Sequence, residues 1–321
     1  MNLTKFESKL NQWGHEQVPF LFLVDFEMEK PEAWKLDEVP DEILFSINKS
    51  TPSAPVEAGV KPELKKHPIS IGEYRSKFDL VKKRISFGDS YLTNLTIKTK
   101  IDLNQTLDEL YFHTSAKYKV CWKNQFLVFS PETFVQIRNR EIFSFPMKGT
   151  IDASISRAEE IILKDPKELS EHVTIVDLIR NDISTIASDV SVKRFRYIEK
   201  IRTNQKDLLQ VSSEISGRLP ENYYGSIGSI LVSLLPAGSI SGAPKNETLQ
   251  IIREAEKEKR GYYTGVVGYF DGENLDSGVM IRFIEQMENQ FYYRSGGGVT
   301  SQSKMENEFQ EAIDKIYVPV Y

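Results

Sequence analysis

The stretch that decides the fold is residues 118–145, YKVCWKNQFLVFSPETFVQIRNREIFSF. With Lys117 it divides into four short runs in which apolar and polar residues tend to alternate: KYKVCW, QFLVFS, TFVQI and EIFSF. Polar or turn-forming residues separate the runs, at Lys123–Asn124, Pro131–Glu132 and Arg138–Arg140. Short alternating runs punctuated by turns are typical of β-strands joined by hairpins, so this stretch predicts an antiparallel meander.

Outside this meander, strand-like and helix-like patterns occur in groups rather than in strict alternation, which indicates an α+β fold. The start of one helix is well marked, because Asp165 precedes Pro166 and Glu168 stands three residues after Asp165. Strands are predicted at Phe20–Phe26, Ile43–Ile47, Tyr91–Ile101, Tyr263–Tyr269, Ser277–Glu285 and Gln290–Ser295, and helices at 69–87, 107–113, 166–183, 223–234, 246–259 and 306–316.

The segment 48–68, NKSTPSAPVEAGVKPELKKHP, is rich in serine, proline and lysine, which predicts a loop or linker. We therefore expect an amino-terminal appendage and linker over residues 1–68, part of the same globule as a main domain over residues 69–321.

Composition excludes several classes of partner. The chain has a formal net charge of −5 with its basic residues spread along it, so no electrostatic footprint for nucleic acid or an anionic membrane surface is expected. No stretch approaches the roughly 18 consecutive apolar residues of a membrane span, and no secretory leader is visible. Cys121 has no second cysteine to pair with, which suits a reducing compartment. We expect a cytoplasmic protein with a small-molecule ligand.

Several polar islands interrupt otherwise apolar elements, although the common nucleotide, zinc-protease and calcium motifs are absent. Each island taken alone has an ordinary structural explanation, such as a solvated helix face or a capped turn. An arginine within the predicted strand VMIRFIE must reach solvent or an anion, and a triple glycine permits close backbone approach to a ligand. The islands are Phe145–Thr150 (FPMKGT), Glu171–Asp182 (EHVTIVDLIRND), Pro236–Lys245 (PAGSISGAPK), Arg260–Gly265 (RGYYTG), Arg282, Ser295–Gly298 (SGGG), and the pair Glu308 and Glu311.

Together, in this order and spacing from about Gly88 to Lys315, the islands closely resemble the chorismate-utilising enzymes. That family includes anthranilate synthase component I, aminodeoxychorismate synthase component I, and the isochorismate and salicylate synthases. The resemblance implies a large α+β sandwich of two packed antiparallel sheets with helices outside. It also implies that residues 69–321 form the chorismate-binding catalytic domain.

The Pro-x-Lys-Gly-Thr sequence at Pro146–Thr150 looks like the aminodeoxychorismate branch, which implies that Lys148 is a nucleophile attacking C2 of chorismate. An amine is nucleophilic only in its neutral form, so its surroundings must disfavour the charge. Glu132 matches the family's general acid, which protonates the departing C4 hydroxyl.

The resemblance further implies a Mg²⁺ site held by Glu171 and Glu311, with Glu308 binding through water. Mg²⁺ retains several waters and takes one or two protein carboxylates plus substrate oxygens, which suits a bridge to the ring carboxylate. The residues that match the family's substrate contacts are Thr150, Ser239, Gly242, Tyr263, Arg282, Gly296, Gly297 and Gly298.

Two positions depart from the family pattern. Leu92 stands where amine-using members generally carry glutamine and water-using members carry a lysine base, which argues against water as the nucleophile. Gln210 stands where members carry a histidine, and glutamine cannot carry a proton at neutral pH.

The sequence thus favours aminodeoxychorismate synthesis with ammonia from a separate glutamine amidotransferase subunit. Anthranilate synthase component I and a non-catalytic chorismate-binding subunit stay open as alternatives.

Overall fold

The computed structural model describes residues 1–48, 61–202 and 207–319, and the predicted linker falls largely outside these ranges. Its described end contains a short strand, Leu64–His67. In chain order the strands are β1 Phe20–Val24, β2 Glu32–Lys35, β3 Ile43–Ile47, β4 Leu64–His67, β5 Leu92–Leu103, β6 Tyr118–Trp122, β7 Phe126–Ser130, β8 Thr133–Arg138, β9 Glu141–Ser144, β10 Met147–Asp152, β11 Ser188–Arg202, β12 Asp207–Arg218, β13 Gly242–Ala243, β14 Val266–Phe270, β15 Leu275–Val279, β16 Phe283–Met287 and β17 Gln290–Thr300. The helices are α1 Leu3–His15, α2 Ile71–Ser86, α3 Leu107–His113, α4 Ala158–Lys164, α5 Pro166–Ser184, α6 Ile227–Leu234, α7 Gly238–Ser241, α8 Lys245–Glu256 and α9 Met305–Asp314.

Two antiparallel sheets flanked by helices form an α+β sandwich, which confirms the predicted fold class. The first sheet runs β10-β12-β9-β8-β15-β14-β1-β2, with β11 also paired to β12. The second runs β13-β5-β17-β16-β7-β6-β3, with β4 also paired to β5. Buried side chains from β1 and β14 of the first sheet and from β3, β6 and β7 of the second fill the space between the sheets. A second apolar cluster packs the first sheet against α1, α5 and α6.

The predicted meander at 118–145 is present as four strands, but it is divided between the sheets. The hairpin of β6 and β7 belongs to the second sheet, and the hairpin of β8 and β9 belongs to the first. The chain crosses between them at Pro131–Glu132. The prediction of one continuous meander is therefore wrong, because proline at the second turn redirects the chain into the other sheet instead of closing a hairpin.

The predicted strand Ser277–Glu285 is likewise wrong as a single element. It is two strands, β15 paired with β8 in the first sheet and β16 paired with β7 in the second. The chain crosses between them at Met280–Arg282, beside the crossing at Pro131–Glu132. Backbone bonds join the crossings: the amide of Val279 donates to Glu132 O (3.0 Å) and that of Phe129 to Arg282 O (3.2 Å).

The first 48 residues contribute to both sheets. β1 is wholly buried and pairs with β14 on one side and β2 on the other, whereas β3 pairs with β6 at the edge of the second sheet. The helix α1 was not predicted from the sequence, and it buries Phe6 and Leu10 against the first sheet.

One stretch, Tyr223–Ser241, meets the length and hydropathy of a membrane span, and 61% of it is buried inside the structure. It is not a continuous helix, because α6 ends at Leu234 and α7 begins at Gly238. Its side chains Ile227 and Leu231 belong to the same apolar cluster as Phe20, so the stretch is a core segment of the sandwich.

Candidate active site

A cleft of about 720 Å³ opens where the chain crosses between the sheets. This volume lies within the range usual for small-molecule sites. Every predicted site residue except Gly242 lines it, so segments far apart in sequence meet at one place. The predicted site residues that line the cleft are Glu132, Lys148, Thr150, Glu171, Ser239, Tyr263, Arg282, Gly296, Gly297, Gly298, Glu308 and Glu311.

A β-bulge directs Lys148 into the cleft. In the pairing of β10 with β12, the register shifts between Met147 and Thr150, and Gly149 adopts a left-handed backbone with φ of 85°. Bulges of this kind re-aim side chains beside functional sites. A methyl group placed on Gly298 would lie 3.3 Å from Lys148 Nζ, so the absence of a side chain at Gly298 gives the amine its place.

Glu132 occupies the crossing after β7, and its carboxylate accepts a hydrogen bond from the hydroxyl of Ser239 in α7. Desolvation raises the pKa of Glu132, while the bond from Ser239 and the charges of Lys148 and Arg282 oppose that rise. A carboxyl group whose pKa is raised retains its proton to higher pH, as a general acid requires.

Arg282 occupies the other crossing in a left-handed conformation with φ of 55°. That backbone is unusual for a residue other than glycine and costs on the order of 1–3 kcal/mol, which the backbone bonds around the crossing sustain. Its guanidinium donates to the hydroxyl of Tyr317 (3.3 Å) and lines the cleft near Tyr263. Burial raises the pKa of Tyr263 to about 12, so the phenol stays neutral and can donate a hydrogen bond.

The three predicted metal ligands form ion pairs with two lysines that were not predicted as site residues. Lys167 Nζ lies 3.1 Å from Glu308 Oε1 and 3.7 Å from Glu171 Oε1, while Lys315 Nζ lies 2.6 Å from Glu311 Oε1. Glu171 Oε1 is buried and accepts no hydrogen bond. These carboxylates offer the hard oxygen donors that Mg²⁺ takes.

The electrostatics of the carboxylates differ. Desolvation raises the pKa of Glu171, with Glu168 and Glu308 adding to the rise and Lys148 and Lys167 opposing it. Burial would also raise the pKa of Glu311, but the adjacent Lys315 ammonium outweighs it and the pKa is lowered. In the described part of the chain, no three His, Cys, Asp or Glu side chains are grouped closely enough to hold a metal ion as they stand.

Gly242 lies behind the cleft rather than in its lining. It has φ of 133°, and a methyl group there would lie 1.9 Å from Leu92 O, so its role in the structure is close packing of β13 against β5. Leu92 is buried beside the site, and a methyl on Gly298 would meet its Cδ1 at 2.8 Å. Gln210 lines the cleft from β12, opposite Thr150.

A buried ion pair supports the floor of the cleft. Arg260 and Glu256 lie 2.6 Å apart with side chains 1% and 2% exposed. Arg260 also donates to Ile240 O (3.0 Å) and Asn94 O (2.7 Å), and so fixes two segments whose residues line the cleft.

A family model described as chorismate binding enzyme matches residues 10–320. The chain belongs to the chorismate-binding enzyme family. Its fold resembles that of a 2,3-dihydroxybenzoate-specific isochorismate synthase from Bacillus anthracis, with a TM-score of 0.73 at 20% identity over 98% of this chain and 87% of that one. It also resembles anthranilate synthase component I from Streptococcus pneumoniae, with a TM-score of 0.70 at 20% identity over 95% and 84%.

Relatives found by sequence include enzymes of this family, and their names give different activities. A PabA-like protein of Pasteurella multocida is 50% identical over the full length of both chains. Aminodeoxychorismate synthase component 1 of Salmonella typhimurium is 31% identical over 76% of this chain and 56% of its own. Anthranilate synthase component 1 of Aquifex aeolicus is 36% identical over 58% and 38%. The alignments thus cover about half or less of the length of each of these two synthases.

Within this chorismate-binding enzyme, sequence reasoning missed several residues that line the cleft, chiefly Asn94, Lys167, Glu168, Arg294 and Lys315. Helical spacing could have found the two lysines. Lys167 precedes Glu171 by four positions and Lys315 follows Glu311 by four, so each shares a helix face with a predicted ligand.

Proposed function

We propose that this chorismate-utilising enzyme is aminodeoxychorismate synthase component I, which replaces the C4 hydroxyl of chorismate with an amine. The observation that carries the proposal is the position of Lys148. Its amine faces a cleft that also holds Glu132, a carboxyl group whose pKa burial raises, and the acidic groups of α5 and α9. A nucleophile and an acid in one enclosed site suit substitution through a covalent adduct.

The first step forms a bond between Lys148 Nζ and C2 of chorismate. The electrons of the two conjugated ring double bonds, C1=C2 and C5=C6, shift to C1=C6 and C4=C5, and the C4–O bond breaks. Glu132 donates its proton to the departing hydroxyl, which leaves as water. In the second step ammonia bonds to C4, both double bonds shift back, and the C2–N bond breaks. Lys148 recovers its electron pair, and the Glu132 carboxylate takes the proton that ammonia loses.

Arg282, Tyr263 and the amides of Gly296–Gly298 would bind the substrate carboxylates, with Thr150 and Ser239 beside them. Arginine is suited to bidentate carboxylate binding, and the glycines let the ligand approach the backbone.

Mg²⁺ fits the acidic end of the cleft, because the orphaned Glu171 oxygen and the nearby Glu308 and Glu311 are the donors it prefers. When bound, the metal would neutralise these carboxylates and the ring carboxylate of the substrate together.

The proposed partner is a glutamine amidotransferase subunit that supplies ammonia, and the proposed compartment is the cytoplasm. The relative at 31% identity, itself an aminodeoxychorismate synthase component 1, supports the choice of reaction. Anthranilate synthase is the second candidate, favoured by relatives at 36% identity over a shorter span.

Intact-mass spectrometry tests the nucleophile. Protein incubated with chorismate and MgCl₂ but without ammonia is expected to gain the mass of chorismate less one water, on the peptide containing Lys148. Lys148→Ala should give no such species. An adduct on another residue, or none at all, contradicts the proposed mechanism.

Product analysis with ammonium salt tests the reaction. We expect 4-amino-4-deoxychorismate, which a separate lyase must process further, and no activity with Glu171→Gln over a range of MgCl₂ concentrations. Anthranilate fluorescence in the absence of any lyase would instead identify an anthranilate synthase.

A further inference from the structure

Lys167 joins the two helices that carry the acidic groups of the cleft. It lies in the first turn of α5, and its ammonium donates a hydrogen bond of 3.1 Å to Glu308 Oε1 in α9. The same nitrogen lies 3.7 Å from Glu171 Oε1, one turn further along α5. One cation therefore contacts a carboxylate from each side of the site.

This arrangement offsets the cost of burying two carboxylates close together. Glu171 and Glu308 have side chains only 9% and 4% exposed, and the charge of Glu308 helps to raise the pKa of Glu171, whose largest cause is desolvation. Two desolvated carboxylates that face each other need a compensating positive charge. The Lys167 ammonium supplies it through its contacts of 3.1 Å to Glu308 Oε1 and 3.7 Å to Glu171 Oε1.

The second lysine of the cleft is bound differently. Lys315 pairs with Glu311 on its own helix and donates to Gly296 O (2.9 Å), which fixes it to the glycine strand β17. Its contacts are to one carboxylate and one backbone oxygen, so it does not bridge two prospective ligands. The bridging position belongs to Lys167.

A divalent cation bound to Glu171, with Glu308 reached through water, would lie close to the Lys167 ammonium that now contacts both side chains. Mg²⁺ binds carboxylate oxygens at about 2.0–2.1 Å, and a dication at that distance from Glu171 Oε1 would repel an ammonium 3.7 Å from the same atom. Lys167 reaches the site through a flexible four-carbon stem and its side chain is 34% exposed, so it has a path outward to solvent.

We propose that Lys167 is a positioning residue for the metal site: its ammonium holds Glu171 and Glu308 together before the metal binds and is displaced when the metal enters. The inference rests on the metal ligands of the proposed function. It makes Lys167 an internal competitor of Mg²⁺, so removing it strengthens metal binding while weakening the metal-free protein. A residue with only a structural role would not produce these two opposite effects.

Titration calorimetry with MgCl₂, in the absence of chorismate, measures the competition directly. We expect Lys167→Met to bind Mg²⁺ about tenfold more tightly than the wild type, since a neighbouring positive charge is lost. Lys164→Met is the matched control, because Lys164 is 75% exposed, pairs with Glu160 outside the cleft and removes the same charge. Its affinity should stay within about twofold of the wild type. Lys167→Arg, which keeps the cation, should also stay near the wild-type affinity.

Thermal unfolding in EDTA gives the second reading. Lys167→Met should melt several degrees below the wild type and regain more of that loss on addition of MgCl₂ than Lys164→Met. Unchanged or weaker Mg²⁺ binding by Lys167→Met overturns the inference. Glu171→Gln distinguishes an error in the metal assignment from an error in the role of Lys167. If Glu171→Gln binds Mg²⁺ as the wild type does, the metal assignment is wrong, and the proposed role of Lys167 is wrong as well. If Glu171→Gln loses the metal and Lys167→Met is unaltered, only the role of Lys167 is wrong.

Discussion

Replacing Gly298 with alanine should displace the proposed nucleophile without altering its chemistry. The added methyl would lie 2.8 Å from Leu92 Cδ1 and 3.3 Å from Lys148 Nζ. Normal carbon–carbon contacts are about 3.5–4.0 Å, so the methyl and Leu92 must separate by about 1 Å. Leu92 is 2% exposed and cannot move freely, so part of the displacement falls on Lys148.

Two magnitudes follow for this variant. Overpacking of this kind costs about 1–3 kcal/mol of the free energy of unfolding. A misplacement of about 1 Å at a reacting group can cost on the order of 10²-fold in rate, so we expect kcat/KM for chorismate to fall by about that factor.

The assay is the rate of adduct formation on Lys148, followed by intact mass, together with urea denaturation. Gly72→Ala is the control, because a methyl there has no neighbour nearer than 4.0 Å. A Gly298→Ala protein that is folded and forms the adduct at the wild-type rate would refute the assignment of Lys148 to this position.

Two further predictions concern the acid and the buried ion pair. Ser239→Ala removes a hydrogen bond that favours ionised Glu132, so the pKa of Glu132 should rise further. The acid acts in its protonated form, so the alkaline limb of the kcat/KM profile should move to higher pH. A limb that stays in place or moves to lower pH contradicts Glu132 as the acid. Arg260→Met leaves Glu256 buried without its partner and should lower the free energy of unfolding in urea by about 3–5 kcal/mol. Arg84→Met, which breaks partly exposed pairs with Asp89 and Glu254, should cost less, about 1 kcal/mol or less for each pair.

Local patterns predicted the elements but not their assignment to sheets. Ile43–Ile47 and Leu107–His113 have the predicted bounds, and α5 begins after the predicted cap, Asp165, whose side chain accepts from the Glu168 amide. These features depend on neighbouring residues. Which sheet a strand joins depends on contacts distant in sequence, and the two-residue interval at Pro131–Glu132 has the length of a hairpin turn.

The site was predicted by resemblance more than by periodicity. The structure brings Lys148, Glu132, Glu171 and Glu311 to one cleft, as the resemblance implied. Gly242 was placed in the pocket, although its backbone conformation serves packing against β5. The strands β11 and β12 were not predicted at all. Their sequence, SDVSVKRFRYIEKIR and DLLQVSSEISGR, mixes charged residues into an alternation that bulges interrupt, which obscures the strand period.

The two crossings explain why the acid and the arginine lie together. β7 pairs with β16 in one sheet and β8 pairs with β15 in the other, so both connections must pass between the sheets side by side. Glu132 and Arg282 are the residues at those connections, and the backbone bonds Val279–Glu132 and Phe129–Arg282 fix their separation. At these crossings Glu132 and Arg282 line the cleft, whereas Met280 packs into the core. The same antiparallel pairing that builds the core thus places the proposed proton donor and the proposed carboxylate binder at the cleft, and α5, α9 and the β10 bulge supply the remaining groups.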